Sequence, residues 1–221
     1  MFSNSKTTHP LAQDNNVRIK DMWTSTLYHP DDLSYNNPKV FTDVFTQFRV
    51  TLEKQNIRVR RLINIPSTFK SLPNDSIITL IPNLTDFGYS NVIINPNSVF
   101  PFEGGELSGL THLQKYIWEK NLAPSYKQTR NSLTGSENST KFSPWLSNGS
   151  LSPRKILFEL KQYENEQNIP DAGYWIIFEL LWRDFFKFIA MKYGTHLFYG
   201  RSLKSDPYLW KHDLQLFEAW R

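Results

Sequence analysis

The sequence of 221 residues predicts a mainly α-helical protein. From Gly104 to the C-terminus, apolar residues recur three and four positions apart, which is the spacing of one helix face. A stretch rich in proline, asparagine and serine, from Gln55 to about Pro101, precedes this part. Such a stretch is typical of a linker rather than of a core. We therefore expect three parts, residues 1–54, 55–103 and 104–221.

The N-terminal part is predicted to contain one helix, from Pro38 to Lys54. Proline is favoured in the first turn of a helix, where its missing N–H is not needed. Apolar side chains in this stretch recur at a spacing of four and so share one face, namely Val40, Val44, Phe48 and Leu52. One helix cannot close a domain alone, so we expect this part to belong to a larger one.

Three helices are predicted after the linker. The first runs from Gly105 to Asn121 and carries an apolar stripe of Leu107, Leu110, Leu113 and Ile117. The second begins at Ser152–Pro153, a favoured N-cap followed by a favoured first residue. Its inward positions are Ile156, Leu157, Leu160 and Tyr163. The third begins after Asp171, ends near Tyr193 and is apolar on most sides, so we expect it to be central.

Composition excludes several classes of protein. The chain has no cysteine, and its five histidines are far apart, so we expect no metal site. The apolar stretch from Tyr174 to Met191 is interrupted by charged residues, which disfavours a membrane-spanning helix. The N-terminus lacks the apolar core of a secretory signal. We therefore expect an intracellular, soluble protein with no membrane partner; nucleus, cytoplasm, chloroplast and mitochondrion are not distinguished.

Net charge and aromatic content bear on the kind of ligand that the protein binds. The formal net charge of +4 fits an acidic partner such as nucleic acid, and it fits an ordinary basic globule equally well. Seven tryptophans and sixteen phenylalanines exceed what a small core usually needs. Stacking on a planar ligand or on bases is one use for this excess.

A short polar segment, Ser139 to Ser143, has the donors of a phosphate site. Ser139, Thr140 and Ser143 surround Lys141, and the chain then turns into a helix that begins with proline. Hydroxyl, backbone N–H and ammonium groups all donate hydrogen bonds to phosphate oxygens. A polar loop that only caps a helix would have the same composition, so the residues alone leave both interpretations open.

The third predicted helix carries charged groups among aromatic ones. Glu179 and Arg183 stand four residues apart, with Trp182 on the same face and Phe186 one turn further. A carboxyl group, an indole plane and a guanidinium together can recognise a base-like ligand. A buried ion pair with a structural role explains the same residues equally well.

Four runs of sequence resemble the photolyase/cryptochrome family. In order along the chain they are GGEL at 104–107, YKQTRN at 126–131, STKFSPWLSNGSLSPR at 139–154 and YWIIFELLWRDFFKF at 174–188. Upstream, STLYHPDDL and VFTQFR are similar to the end of the light-harvesting α/β domain in the DASH branch. The run FELLWRDFFKFIAMKYG is characteristic of that branch. The resemblance extends from about Trp23 to Arg221.

The resemblance implies a fold and an activity. Residues 1–54 would be the C-terminal remnant of the α/β antenna domain, 55–103 the interdomain linker, and 104–221 the N-terminal part of the all-helical FAD-binding domain. It implies a deoxyribodipyrimidine photolyase, in which light drives an electron from reduced FAD to a cyclobutane pyrimidine dimer in DNA, preferentially single-stranded. A folate antenna, 5,10-methenyltetrahydrofolate, is implied for the full-length protein. A monomer is expected.

The resemblance also implies site residues. Those expected to contact FAD, chiefly near its phosphates, are Tyr126, Ser139, Thr140, Lys141, Phe142 and Ser143. Those expected to contact DNA or the flipped lesion are Arg130, Glu179, Trp182, Arg183 and Phe186. Arg130 would reach a DNA phosphate, and Glu179 would be the catalytic residue that hydrogen-bonds the pyrimidine. Trp182 would supply a stacking face.

The chain departs from the family pattern at both ends. It begins near the end of the α/β domain and stops before the segment in which the family places its flavin-ring contacts and its tryptophan electron-transfer chain. We therefore expect a fragment, a truncated product or an incomplete gene model. Two other functions stay open: a non-repairing DNA-binding or blue-light-signalling cryptochrome, and an inactive truncated product.

Overall fold

The computed structural model describes residues 22–34, 38–71, 80–90, 95–199, 203 and 211–221. These residues form helices and no strand, which confirms the predicted mainly α fold. The α-helices are α1 (Phe45–Lys54), α2 (Glu106–Gln114), α3 (Tyr126–Thr129), α4 (Ser143–Asn148), α5 (Pro153–Gln167), α6 (Tyr174–Tyr193) and α7 (Leu214–Trp220). Helix α2 continues into a π-helical turn, Lys115–Glu119. None of the helices in the described ranges is long and apolar enough to span a membrane.

The chain divides into two compact units. The first is Met1–Val59 together with Phe178–Arg221, and the second is Arg60–Ile177. The boundary falls within helix α6. The predicted division into antenna remnant, linker and helical domain stays a prediction.

The first unit has an aromatic core between α1 and the later part of α6. The ring of Phe41 lies 5.3 Å from that of Phe48 and 5.4 Å from that of Phe188, both at tilted angles. Tilted ring pairs stabilise a core by about 0.5–1.5 kcal/mol beyond the area that they bury. The buried members of this core are Leu33, Phe41, Phe45, Phe48, Leu52, Phe185 and Phe188.

Helix α1 begins at Phe45 and not at Pro38, so the predicted start was wrong. Residues Pro38–Val40 form a separate 3-10 turn. The Thr42 hydroxyl oxygen accepts the N–H of Val44 at 3.1 Å, and Val44 has an extended backbone. A threonine side chain that bonds nearby backbone in this way competes with helix formation. Val40 and Val44 therefore lie outside the helix and are exposed.

Asp184, in the middle of α6, is a fully buried carboxyl group. Its two oxygens accept the N–H groups of Leu27 at 3.0 Å and of Tyr28 at 2.9 Å. Burial raises the pKa of Asp184 to about 7, although both N–H groups and the charges of Arg183 and Lys187 act in the opposite direction. These hydrogen bonds fasten the chain at residues 27–28 to helix α6.

In the second unit, the buried face of α2 differs in part from the predicted stripe. Leu113 and Ile117 are buried as predicted, but Leu107 is 82% exposed, so the stripe was wrong at its first position. Gly109 is buried instead. A Cβ atom at Gly109 would lie 3.1 Å from the indole of Trp145, so the absence of a side chain lets this large ring approach the helix.

Helix α5 begins as predicted, with Ser152 as N-cap and Pro153 in the first turn. Its inward residues Ile156, Leu160 and Tyr163 are buried and Leu157 is half-buried, which bears out the predicted face. The helix ends at Asn168, whose positive φ of 54° is the left-handed conformation that asparagine tolerates at helix ends.

The turn between α5 and α6 is tied to α5 by a buried carboxylate. The Glu164 side chain accepts the N–H of Gly173 at 2.9 Å and an N–H of the Lys161 ammonium at 2.7 Å. Gly173 also packs against Leu160, so the turn lies directly on the helix. The predicted third helix then begins at Tyr174 and ends at Tyr193, as expected.

The described parts of the predicted linker, 55–71, 80–90 and 95–103, contain a single helical element, the 3-10 turn Leu84–Phe87. Most of their side chains are exposed.

We expect Asp184→Asn to destabilise the protein by about 1–3 kcal/mol, because the amide leaves one backbone N–H facing a second donor. The loss should depend on pH. The folded-state pKa of about 7 lies above the ordinary value of 3.8. The proton therefore stabilises the folded state fully below about pH 4, and this stabilisation is lost as pH rises to about 7.

Urea unfolding of Asp184→Asn and wild type, followed by circular dichroism at about pH 5 and about pH 8, checks this. The difference in free energy of unfolding between the two proteins should be larger at the lower pH. A difference that is the same at both pH values would contradict a carboxyl group that gains a proton on folding.

We expect Gly173→Ala to lower the thermal midpoint, because the new Cβ atom would lie 2.9 Å from the Cβ atom of Leu160. Overpacking of this kind typically costs about 1–3 kcal/mol. Gly104→Ala is the matched control, since a Cβ atom there meets no other atom within 4 Å. Equal losses from both substitutions, measured by thermal melts, would show that the contact with Leu160 is not the cause.

Candidate functional site

The predicted site residues fall in both units. Tyr126, Arg130 and the segment Ser139–Ser143 belong to the second unit, and Glu179, Trp182, Arg183 and Phe186 belong to the first.

The segment Ser139–Ser143 presents unpaired hydrogen-bond donors. Ser139, Thr140 and Lys141 are half-buried and Ser143 is exposed. Among the residues that the structure describes, none pairs with the hydroxyl groups of this segment or with the Lys141 ammonium. Lys141 has a positive φ of 52°, an uncommon conformation for a residue with a side chain. The segment is therefore a sharply bent run of donors at the surface of its unit.

His112, on helix α2, forms a hydrogen bond with the backbone of this segment. Its Nε2 lies 2.8 Å from the carbonyl oxygen of Thr140. Because a carbonyl oxygen only accepts, Nε2 must carry the hydrogen. Burial lowers the pKa of His112, so the imidazole is neutral at pH 7. A neutral ring that donates to one carbonyl fixes the backbone immediately before Lys141.

A cluster of rings surrounds His112 and anchors the segment. Phe142 is 2% exposed, and its ring lies 5.6 Å from that of His112 at nearly right angles. On other sides His112 contacts Phe102, at 4.2 Å between ring centroids, and Trp145, at 5.3 Å. In the described part of the chain, the indole N–H of Trp145 and the hydroxyl of Tyr116 are buried without a hydrogen-bond partner. Phe142 is thus a packing anchor between residues that face outward.

Helix α3 places Tyr126 inward and two cations outward. Tyr126 is 7% exposed, and its carbonyl oxygen accepts the N–H of Arg130 at 3.0 Å. The Lys127 ammonium lies 4.7 Å from the centre of the Trp175 indole, and the Arg130 guanidinium carbon lies 5.7 Å from it. Both distances are within the range of a cation–π contact. Trp175 is therefore in contact with two positive charges.

In the first unit, Trp182 belongs to an aromatic stack. Its ring lies nearly parallel to that of Phe45, with 3.7 Å between the centroids. Phe186 stacks on it less closely, at 5.4 Å, and is 60% exposed. The stacking face that we expected Trp182 to offer is thus shared with two phenylalanines of the same unit.

Glu179 and Arg183 lie one turn apart on α6, and both are half-buried. The Arg183 guanidinium donates to the carbonyl oxygen of Ser25. Burial lowers the pKa of Arg183 from its ordinary value, and the charge of Asp184 opposes this shift. Arg183 therefore has a structural contact in addition to any ligand that it binds.

Sequence reasoning missed four residues that matter to these groups: His112, Lys127, Trp175 and Asp184. His112 was dismissed because it has no metal-ligand partner, although a lone histidine on the buried face of a helix often donates to backbone. The sequence gives no periodic signal that Lys127 meets Trp175, because the two residues are far apart along the chain. Asp184 drew attention only as a charge that disfavours a membrane span.

The sequence is similar to known proteins over nearly its whole length, although no protein-family model matches it. It is 43% identical over 211 residues to "Cryptochrome DASH" of Danio rerio, which covers 96% of this chain and 40% of that protein. Against "Cryptochrome DASH" of Xenopus laevis it is 42% identical over 205 residues, covering 93% and 39%. A third relative, "Cryptochrome DASH, chloroplastic/mitochondrial" of Solanum lycopersicum, is 38% identical over 207 residues, covering 94% and 35%.

A solved structure agrees with these relatives. The crystal structure of the Synechocystis sp. PCC6803 cryptochrome superposes with a TM-score of 0.86 at 40% identity, covering 96% of this chain and 43% of that one. The chain spans about two fifths of the length of the vertebrate relatives. With a shared helical fold and this identity from end to end, the chain belongs to the DASH cryptochromes of the photolyase/cryptochrome family.

Proposed function

We propose that this chain is a portion of a flavin-dependent DNA photolyase that uses light to split cyclobutane pyrimidine dimers, preferentially in single-stranded DNA. Its membership of the DASH cryptochromes supports the reaction class. The observation that carries the proposal is the run of unpaired donors at Ser139–Ser143, held in a fixed bend by His112 and Phe142. Because the chain spans about two fifths of its relatives, the activity belongs to the full-length protein.

The segment fits the diphosphate of FAD. Two serines and a threonine offer hydroxyl donors, and Lys141 offers a positive charge, the combination that phosphate oxygens require. Phe142 is buried, so it would contact the cofactor through its backbone N–H and not through its ring. Tyr126 is also largely buried and would meet the cofactor at the edge that remains exposed. Bound FAD, once reduced, supplies the electron that light transfers to the dimer.

The α6 residues would recognise the damaged bases. Glu179 would hydrogen-bond the carbonyl or N–H groups of a pyrimidine, and Arg183 would offer donors to an oxygen acceptor. Phe186, as the most exposed ring of the stack, would extend the aromatic surface of Trp182. A base could then rest on aromatic rings while its edge meets polar groups.

Three further parts of the proposal concern the full-length protein. A folate antenna, 5,10-methenyltetrahydrofolate, would collect light for the flavin. The DNA partner would be contacted through Arg130, which is half-buried directly after helix α3 and lies beside a second cation. The Solanum relative is named chloroplastic/mitochondrial, so an organelle is one proposed location for this protein.

We expect the purified chain, reconstituted with FAD, to show bound flavin absorbance, and Lys141→Glu to abolish it. The new carboxylate would repel the diphosphate, since a like charge near an anion disfavours its binding. Lys70→Glu is the matched control, because Lys70 is exposed and its substitution changes the net charge by the same amount. The absorbance spectrum after gel filtration measures the bound flavin. We expect the control to retain flavin and Lys141→Glu to lose it.

The same samples test repair. Loss of thymine dimers from single-stranded DNA under blue light would support the photolyase. Bound flavin and bound DNA without loss of dimers would favour the non-repairing cryptochrome. A wild-type chain that folds but binds no flavin would reject cofactor binding by this segment alone.

We expect His112→Phe to weaken FAD binding about fivefold, because the Thr140 carbonyl loses a hydrogen bond of about 1 kcal/mol while the aromatic packing is kept. His112→Gln retains a donor and should recover part of the affinity. Fluorescence titration of FAD measures both dissociation constants. Equal affinities for wild type and His112→Phe would mean that this hydrogen bond does not shape the segment.

A further inference from the structure

We propose that Lys127 and Arg130, held on the indole of Trp175, clasp one backbone phosphate of a nucleic acid strand. This proposal rests on the proposed function, in which only Arg130 had been given a contact with a DNA phosphate. It adds Lys127 as a second direct contact and Trp175 as the residue that positions both cations.

The geometry brings two like charges together in one place. Lys127 and Arg130 stand three residues apart around helix α3, so their side chains share one side of it. Both charged groups lie within 6 Å of the Trp175 ring centre. Like charges at this spacing repel each other, and contact with the negative face of an indole attracts each of them. An anion between the two cations would be stabilised by both.

The surroundings favour an anion at this position. From Asn121 to Ser136 the sequence contains two basic residues, Lys127 and Arg130, and no acidic one. Within the described ranges, Lys127 makes no ion pair, and its recorded contact is the indole. The Lys127 side chain is exposed, so a ligand can reach it from solvent. The Lys127 ammonium is therefore an accessible donor without an anionic partner in the described ranges.

The platform, by which we mean the Trp175 indole with Lys127 and Arg130 on it, is held in place by its neighbours. Tyr126 is buried beneath the same helical turn and fixes it to the unit. Trp175 is half-buried at the start of α6, and the ring of its neighbour Tyr174 meets it edge-on at 5.6 Å. Cations that rest on a fixed ring lose less side-chain freedom when they bind a ligand, which is how preorganisation raises affinity.

Lys155 provides a matched comparison within the same unit. Its ammonium also lies over a ring, 5.6 Å from the centre of Phe158, but it is paired with Glu159 at 2.6 Å. The carboxylate already neutralises that cation, so the proposal assigns no phosphate to it. Lys155→Gln therefore removes the same charge from a lysine with the same kind of aromatic neighbour.

The test measures binding of an undamaged, fluorescein-labelled oligothymidylate across a range of salt concentrations. We expect Lys127→Gln to weaken binding and to lower the slope of log K against log salt by less than about 0.7, the contribution of one phosphate on a single strand, because Arg130 still contacts that phosphate. Lys155→Gln should match wild type. If Lys127→Gln also matches wild type, the platform is wrong, while flavin binding and the proposed function are untouched.

The double variant Lys127→Gln/Arg130→Gln tests whether the two cations share one phosphate. If the two cations share one phosphate, the fold-loss of affinity in the double variant should differ from the product of the fold-losses in the two single variants. If each cation contacts its own phosphate, the double variant should show that product. Trp175→Leu should weaken binding about two- to fivefold, with the salt slope kept, because the charges remain but are no longer positioned. Trp175→Phe keeps an aromatic face and should recover most of the affinity.

Parallel FAD titrations separate this proposal from the flavin proposal. Lys127→Gln should bind FAD, if wild type does, with unchanged affinity. Loss of FAD but not of oligonucleotide would assign the cations to the flavin phosphates and overturn the proposal. If wild type binds the oligonucleotide without FAD and Lys127→Gln does not, the platform is upheld even if flavin binding fails. No salt-dependent oligonucleotide binding by wild type would reject the platform outright.

Discussion

The contact between Gly109 and the Trp145 indole sets how closely helix α2 approaches helix α4, and the rest of the second unit depends on it. At 3.1 Å from a would-be Cβ atom, the ring leaves no room for a side chain without adjustment. This approach brings His112, one turn later on α2, under the backbone of Thr140. The bend at Lys141 is therefore a consequence of helix packing, and the donors of the segment are positioned before any ligand arrives.

The fold was predictable where local signals agreed. Helix α5 started at Pro153, and the apolar positions that followed were buried, because a proline in the first turn and the apolar periodicity specify the same helix. Helix α1 failed at its start because the Thr42 hydroxyl bonds the Val44 N–H, a local choice that periodicity does not report. Asp184 could not be assigned at all, since its partners lie more than 150 residues away in sequence.

The candidate site was predictable from the resemblance more than from physical chemistry. Hydroxyl groups around Lys141 suggested a phosphate site and equally a capping loop, and only the absence of partners in the described structure favours the first. The sequence did not predict that Phe45 stacks on Trp182. Phe45 lies in α1, and no sequence pattern indicates that α1 packs against α6. The meeting of Lys127 with Trp175 likewise depends on packing between separate helices.

Burial and pairing together separate the structural charges of this protein from those proposed to bind ligands. Asp184 and Glu164 are buried; Asp184 accepts two backbone N–H groups and Glu164 accepts one, so removing either carboxyl group leaves a donor without an acceptor. Lys141 and Lys127 reach solvent and have no anionic partner in the described residues, so neither forms an ion pair in the unliganded chain. A positive charge held in a fixed place without an ion pair gains stabilisation when an anion binds. This difference, and not residue type, is the physical reason to look for phosphate at Lys141 and Lys127.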